Sequence, residues 1–173
     1  MLNPLEWKLN DQTKNSSPSV LISLGSNINP EKNILAAVKL LSEIADKLSI
    51  SSVWESSAVG SSGPNYLNSA ALFHTQLPLE EIKSDVISPI ETQLGRVRSA
   101  DKYMDRSIDL DVLVYGESII DSELWFHGYL AIPASELMPD LLNQETGESL
   151  LETADRLRKS TKIFQRLDLD GGK

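Results

Sequence analysis

The sequence of 173 residues contains no cysteine, which excludes disulfide bonds, thiolate nucleophiles and cysteine-ligated zinc or iron–sulfur centres. It contains two histidines, His74 and His127, too few for a metal site built from several imidazoles. No apolar run approaches the roughly 20 residues of a membrane-spanning helix. The first residues lack the charged start and the apolar stretch of a signal peptide. We therefore expect a cytoplasmic protein that does not contact membranes.

Basic charge is also scarce, since the formal net charge is −9. An acidic chain is poorly suited to broad binding of nucleic acid, which needs a basic surface. A phosphate ligand remains compatible, because a few placed arginines and a metal ion act locally. The length and the hydrophobic content of 40% suit one domain with one core. We expect a monomer or a weak homodimer.

Hydrophobic periodicity and turn residues predict an alternation of strands and helices. A helix over 30–48 has Pro30 in its first turn and apolar residues at three- and four-residue spacing. A second helix over 78–94 repeats these signals, and Pro89 within it predicts a kink or an early stop. We predict strands over 20–24, 50–55, 66–77 and 107–115, and short helices over 133–142 and 148–159.

The order strand, helix, strand, strand, helix, strand is typical of a ferredoxin-like α+β sandwich, in which helices pack on one face of an antiparallel sheet. We predict this fold as a single domain over residues 19–165. A flexible N-terminal tail over 1–18 would precede it, and a frayed C-terminus over 166–173 would follow. Many functions share this fold, so the fold decides none of them.

Two carboxylates interrupt the apolar strand "DRSIDLDVLVY" (105–115). Asp109 and Asp111 lie two residues apart, so they point to the same side of the strand at a separation of roughly 6.5–7 Å along it. Their like charges repel unless a cation lies nearby, and oxygen ligands without His or Cys favour Mg²⁺. The alternative is the polar side of an amphipathic strand, although Asp is poorly suited to strands.

A cluster of cations lies just before this strand, in "GRVRSADKYMDR" (95–106). Arginine and lysine commonly bind phosphate, and cations next to metal-binding carboxylates predict a polyphosphate ligand. The alternative is a solvated loop whose cations pair with neighbouring aspartates. The cluster comprises Arg96, Arg98, Lys102 and Arg106.

These motifs resemble those of the 6-hydroxymethyl-7,8-dihydropterin pyrophosphokinase family over about residues 19–139. The resemblance rests on "SLGSN" (23–27), "SSVWESSAVG" (51–60), "NYLNSA" (65–70) and "ETQLGRVRSADKYMDRSIDLDVLVYG" (91–116). The last segment is the most specific, because the family signature ends in R-x-I/L-D-L-D. The resemblance implies the ferredoxin-like fold and an enzyme that transfers pyrophosphate from ATP to the pterin hydroxymethyl group, releasing AMP with two Mg²⁺.

The resemblance also implies roles for individual residues. Asp109 and Asp111 would hold both metal ions, and Arg96 and Arg106 would face the phosphates. His127 matches either a phosphate-facing histidine or an arginine of the family. Further ATP-binding positions are Arg98, Lys102 and Glu91, besides His127. Pterin-binding positions are Gly25, Asn27, Ser56, Val59, Tyr66, Asn68, Tyr103 and Tyr129.

Several of these residues have a simpler interpretation. The tyrosines could be core or rim aromatics, and Asn68 could be a strand residue bonded to the backbone. Gly25 could serve a turn, and Glu91 could lie on the surface of a helix.

Two departures from the family pattern leave two hypotheses. Met104 and Asp105 replace a Gly-Pro pair before Arg106, and the segment "DSELWFHGYL" (121–130) is several residues shorter than in the family. One hypothesis is an active pyrophosphokinase. The other is a catalytically impaired paralogue that binds a pterin or a nucleotide without turnover. The aspartate pair favours the first hypothesis, because a binding module has little use for two adjacent carboxylates on a strand.

Overall fold

The structure is a computed structural model that describes residues 17–45, 47–58, 63–97 and 105–169. Most of the predicted N-terminal tail lies outside these ranges. So do four of the predicted site residues, namely Val59, Arg98, Lys102 and Tyr103. Within the described ranges, no helix has the length and apolar composition to cross a bilayer.

Strands and helices alternate along the chain as an α+β domain. The strands are β1 (Ser19–Ser26), β2 (Ser49–Ile50), β3 (Trp54–Ser56), β4 (Tyr66–His74), β5 (Asp109–Tyr115), β6 (Ser118–Ile119) and β7 (Ile163–Gln165). The helices are α1 (Pro30–Ile44), α2 (the consecutive pieces Leu79–Glu81, Ile82–Ile87 and Ser88–Gln93), a 3₁₀ helix (Ser122–Trp125), α3 (Gly128–Ser135) and α4 (Leu150–Arg158).

All of these strands form one antiparallel sheet in the order β6-β5-β1-β4-β3-β7, and β2 also pairs with β4. The register places Gly25 near the end of β1 opposite Asp109 on β5 and opposite Asn68 on β4. Ser23 lies opposite Asp111. The end of β1 is therefore flanked by the aspartate pair on one side and by Asn68 on the other.

Helices cover both faces of the sheet. Helices α1 and α2 pack on the face that carries Ile22 and Leu110, whereas α3 and α4 pack on the face that carries Leu21 and Leu113. Successive strand residues point to opposite faces, and burying one Leu or Ile contributes roughly 1.5–3 kcal/mol. Because Leu110 faces α1 and α2, Asp109 and Asp111 project on the side of α3.

The strand predicted over 50–55 is in fact two short strands. β2 and β3 are separated by 51–53, where the ladder to β4 is irregular. Ser51 bridges the gap, since its N–H donates to the Ala70 carbonyl and its Oγ accepts from the Ala70 N–H, at 2.9 and 2.8 Å. The single strand predicted over 50–55 therefore contains a local break.

Of the kink or early stop predicted at Pro89, the early stop does not occur, because α2 continues to Gln93. Its middle piece, Ile82–Ile87, is π-helical, and the N–H of Ser88 donates to the carbonyl of Lys83, five residues earlier. Proline lacks an N–H, and its ring crowds the carbonyl four residues before it. The wider turn accommodates the ring without ending the helix.

The helix predicted over 133–142 is also misplaced, because α3 begins at Gly128 and ends at Ser135. Pro133, where the predicted helix began, lies inside the observed helix. The last predicted helix is confirmed as α4, which begins with a capping box between Ser149 and Glu152.

The C-terminal strand β7 was not predicted. It pairs with β3, and Arg166 follows it with ion pairs to Glu31, Glu55 and Asp168. Arg166 belongs to the segment that was predicted to be frayed. In the structure it ties this segment to the start of α1 and to β3.

Candidate active site

A pocket of about 320 Å³ opens at the end of β1, between β5, β4 and α3. Its walls combine carboxylates, hydroxyl groups, a guanidinium group, an amide and two aromatic rings. The lining residues are Ser23, Leu24, Gly25, Ser56, Ser57, Ala58, Tyr66, Asn68, Arg106, Asp109, Asp111, Asp121, Glu123, Tyr129 and Leu130.

Eight of the residues predicted from the sequence meet in this pocket, although they span more than one hundred positions. They are Gly25, Ser56, Tyr66, Asn68, Arg106, Asp109, Asp111 and Tyr129. Four other predicted residues are described but do not line it, namely Asn27, Glu91, Arg96 and His127.

The two aspartates differ in their electrostatic surroundings. Asp109 lies between two guanidinium groups, with Arg96 at one carboxylate oxygen and Arg106 at the other. Arg96 also donates to the carbonyl of Ile108 at 2.9 Å. Asp111 forms no ion pair with any residue in the described ranges, so no cation of these ranges balances its charge directly.

Burial, together with the negative charges of Asp109 and Glu91, raises the pKa of Asp111 from 3.8 to about 6. Part of this side chain faces the open pocket, but protein atoms crowd its other sides and reduce its hydration. A cation at this position would relieve both effects. The pocket thus favours positive charge beside Asp111.

Two further carboxylates reach the pocket from the short 3₁₀ helix, and sequence reasoning missed both. Asp121 caps this helix by accepting from the N–H of Glu123 at 3.0 Å. An aspartate before a helix start is a capping signal, but it carries no information about a binding site. With Asp121 and Glu123, four carboxylates and the guanidinium of Arg106 line the pocket.

The donor set suits a hard cation bound through few protein ligands. Across the described parts of the chain, no group of three or more His, Asp or Glu side chains converges on a point that could hold a metal. Mg²⁺ does not need such a cage, because it binds one or two carboxylates and completes its octahedron with water and phosphate. Asp109 and Asp111, open to the same pocket, fit this requirement.

The opposite wall of the pocket is built around Asn68, which is buried. Its Nδ2 donates to Ser56 Oγ at 2.9 Å and to the carbonyl of Trp54 at 3.3 Å, and this network fixes the orientation of the amide. Gly25 is an internal residue of β1 rather than a turn residue, and a Cβ built on it would lie 3.8 Å from Asn68 Oδ1. The amide therefore keeps an acceptor oxygen beside the pocket.

His127 lies behind the aromatic wall rather than in the pocket. Its ring stacks on that of Tyr129, with centroids 5.1 Å apart and planes at 23°. Its Nε2 lies 2.7 Å from a carboxylate oxygen of Glu123. Burial, together with the negative charge of Glu123, raises the pKa of Tyr129. His127 thus braces the half-buried ring that forms this wall.

Gly128 fixes the start of α3 against the C-terminal segment, and we expect Gly128→Ala to disturb it. A Cβ at this position would lie 2.8 Å from Thr161 Oγ1 and 3.1 Å from Thr161 Cβ. We expect a loss of stability of about 1–3 kcal/mol, measured by urea unfolding, because Thr161 or the start of α3 must shift to relieve this close contact. Gly25→Ala serves as the control, since its Cβ would make ordinary contacts. A Thr161→Gly background should restore part of the loss, and equal losses in both backgrounds would contradict the steric explanation.

Glu91 lies at the end of α2 and is 4% exposed, so it is not a surface residue. Its Oε1 accepts from the N–H of Leu110 at 3.1 Å and lies 3.5 Å from Arg96 Nε. Glu91 therefore joins α2 to β5 directly behind the aspartate pair.

Comparison with known proteins identifies the family. A sequence model of 7,8-dihydro-6-hydroxymethylpterin-pyrophosphokinase (HPPK) matches residues 21–140, a range that spans the whole pocket. A 2-amino-4-hydroxy-6-hydroxymethyldihydropteridine pyrophosphokinase of Haemophilus influenzae is 33% identical over 134 residues, which cover 70% of this chain and 82% of that protein. The protein of the same name from Pseudomonas aeruginosa is 29% identical over 135 residues, with the same two shares.

A longer relative matches as well. The mitochondrial folate synthesis bifunctional protein of Arabidopsis thaliana is 29% identical over 146 residues, which cover 78% of this chain and 26% of that protein. The match to the family spans most of this chain and includes both aspartates of β5. The chain therefore belongs to the 7,8-dihydro-6-hydroxymethylpterin-pyrophosphokinase family.

Proposed function

We propose that this protein transfers the pyrophosphoryl group of ATP to the hydroxymethyl oxygen of 6-hydroxymethyl-7,8-dihydropterin and releases AMP, a step of folate biosynthesis. The observation that carries this proposal is the convergence of the aspartate pair of β5 and the Asn68 wall on one pocket. A transferase needs both in one cavity, because a polyphosphate and an alcohol must meet there.

In this reaction the hydroxymethyl oxygen attacks the β-phosphorus of ATP. A new bond forms between that oxygen and the β-phosphorus, while the bond from the β-phosphorus to the oxygen on the α-phosphate breaks. AMP leaves with the bridging oxygen, and the hydroxyl proton is released to water. Positioning and charge stabilisation dominate such transfers, so the protein needs little covalent chemistry of its own.

The Asn68 wall suits the heterocycle. Both hydrogens of the Asn68 amide are engaged by Ser56 and Trp54, so its Oδ1 is the atom that can accept from a ring N–H. Tyr66 and Tyr129 provide aromatic surface in the same cavity, and planar rings favour such neighbours. We assign this end of the pocket to the pterin.

The aspartate end suits the triphosphate together with cations. We propose that Asp109 and Asp111 hold two Mg²⁺, which neutralise phosphate charge and polarise the β-phosphorus when bound. The support is electrostatic: four carboxylates line a pocket that must accept a strongly anionic substrate, and Arg106 alone among the described lining residues is cationic. Arg106 and Arg96, held beside Asp109, are placed to interact with phosphate oxygens.

The finer fold assignment is also a proposal. The order β5-β1-β4-β3, with α1 and α2 on one face, supports a ferredoxin-like sandwich with α3 and α4 added on the other face. The cytoplasmic location and the monomeric or weakly dimeric state remain predictions.

One assay tests the proposed function. The purified protein is incubated with ATP, Mg²⁺ and 6-hydroxymethyl-7,8-dihydropterin, and AMP is quantified by chromatography. We expect AMP to form in a one-to-one ratio with pyrophosphorylated pterin, and to be absent without either substrate or with EDTA. A protein that binds the pterin by calorimetry but forms no AMP would instead be the catalytically impaired binding module.

A further inference from the structure

Asn27 follows β1, is 5% exposed and is not among the residues that line the pocket. Its Nδ2 donates to Asp105 Oδ1 at 2.7 Å, and its Oδ1 accepts from the N–H of Arg106 at 2.7 Å. The backbone N–H groups of Asn27 and Ile28 both donate to the carbonyl of Arg106, at 3.0 and 3.2 Å. One turn thus holds the main chain of Arg106 from both sides.

This arrangement requires a carboxamide. The side chain must offer an acceptor to one neighbour and a donor to the next, and a neutral amide provides both in a fixed geometry. An aspartate at position 27 would place a carboxylate against the carboxylate of Asp105, and an alanine would remove the acceptor that Asn27 Oδ1 offers to the N–H of Arg106. The adjacent Ser26 extends the attachment, because its Oγ donates to the carbonyl of Ser107.

Residues 105–107, which Ser26 and Asn27 hold, lead directly into β5. Arg106 lies three residues before Asp109, and its guanidinium contacts the Asp109 carboxylate. Arg106 also lines the pocket. The position of its backbone relative to β1 therefore sets where the guanidinium can reach.

We propose that Asn27 is a positioning residue that acts through Arg106: it anchors the arginine at the aspartate end of the pocket, and Asp105 orients its amide. This inference rests on the proposed function and replaces the earlier prediction that Asn27 contacts the pterin. It identifies the end of the "SLGSN" segment as part of the phosphate side of the site.

The test compares Asn27→Ala with the wild-type protein in steady-state kinetics and in calorimetric titrations with the pterin. We expect kcat/KM for ATP to fall about 10-fold, as for the loss of one or two hydrogen bonds in a site. The Kd of the pterin should change by less than about threefold, a difference below the energy of one such bond. Asn33→Ala is the matched control, since its Nδ2 donates at 2.7 Å to the carbonyl of Ile28 in the same turn without touching Asp105 or Arg106.

A double-mutant cycle separates positioning from a general structural role. In an Arg106→Ala background, Asn27→Ala should have almost no further effect on kcat/KM, because the group through which it acts is gone. A full 10-fold additional loss in that background, or a raised pterin Kd with unchanged ATP kinetics, would overturn the proposal.

Two provisions keep the test decisive. If Asn27→Ala fails to fold, Asp105→Ala removes the exposed acceptor alone, and it should show a smaller loss that also disappears in the Arg106→Ala background. If the wild-type protein forms no AMP, the proposed function fails first. The titration of Mg²⁺-ATP into the same variants then still measures whether Asn27 acts through Arg106.

Discussion

Asp111→Asn should strongly reduce AMP formation while raising the melting temperature of the ligand-free protein. The activity should fall roughly 100-fold or more, because the proposed metal site loses one of its two carboxylates. The gain in stability also comes from removing the Asp111 carboxylate. In the ligand-free protein, the Asp111 carboxylate is partly desolvated and faces the like charges of Asp109 and Glu91.

The gain should depend on pH in a defined direction. The pKa of Asp111 is raised from 3.8 to about 6, so the folded state binds this proton more tightly than the unfolded state. The carboxylate therefore destabilises the fold above about pH 6, and this effect disappears as the pH falls to about 4. Because solvent screens this partly exposed side chain, we expect Asp111→Asn to gain about 1 kcal/mol in unfolding free energy at pH 7.5. This gain corresponds to a rise of about 2–4 °C in melting temperature.

Thermal unfolding of the two proteins at pH 4 and at pH 7.5, without Mg²⁺ or ATP, measures this difference. Asp109→Asn is the matched control, because its carboxylate pairs with Arg96 and Arg106. That variant should lose activity as well, but it should be less stable by about 1.5–3 kcal/mol, as for lost bonds between charged groups. If Asp111→Asn lowered the melting temperature at pH 7.5, the electrostatic description of the pocket would be wrong.

Glu91→Ala should destabilise the protein by about 3 kcal/mol, the low end of the range for breaking a buried ion pair. The variant would leave the N–H of Leu110 without its acceptor and the guanidinium of Arg96 without one of its two carboxylates. For a chain of this size, the melting temperature should fall by about 6–12 °C.

Two further variants locate the origin of that loss. Glu91→Gln keeps an acceptor for Leu110 but removes the charge, so it should cost less than half as much. Glu81→Ala changes an exposed residue of the same helix and should stay within about 0.5 kcal/mol of the wild type. If Glu91→Ala matched Glu81→Ala in urea unfolding, Glu91 would not be the link between α2 and β5.

The parts of the site that could be predicted share a local signal. Asp109 and Asp111 stand out because strand periodicity places them on one side of an otherwise apolar strand, and the structure brings both to one pocket. The basic residues Arg96 and Arg106 stand out in an acidic chain, and the structure pairs both with Asp109. The βαββαβ order of elements needs little beyond hydrophobic patterning and turn residues.

The parts that could not be predicted depend on tertiary contacts. Asp121 and Glu123 reach the pocket because a tight turn at Gly116, with φ of 59°, folds β6 back along β5 and places the 3₁₀ helix beside it. The hydrophobic periodicity of the sequence does not indicate where this turn places the 3₁₀ helix. Asn27 carries the family pattern, but the partner of its amide is a residue 78 positions away. The family resemblance alone therefore does not reveal this contact.

The wide turn of α2 determines the direction in which Glu91 points. Each residue of an α-helix advances the chain by about 100° around the axis, so one additional residue within a turn rotates everything after it by that angle. In α2 the π-helical piece Ile82–Ile87 supplies this additional residue, leaving Pro89 exposed and Ile90 and Glu91 buried. The number of residues in that turn, and not the identity of any one of them, orients the carboxylate toward β5.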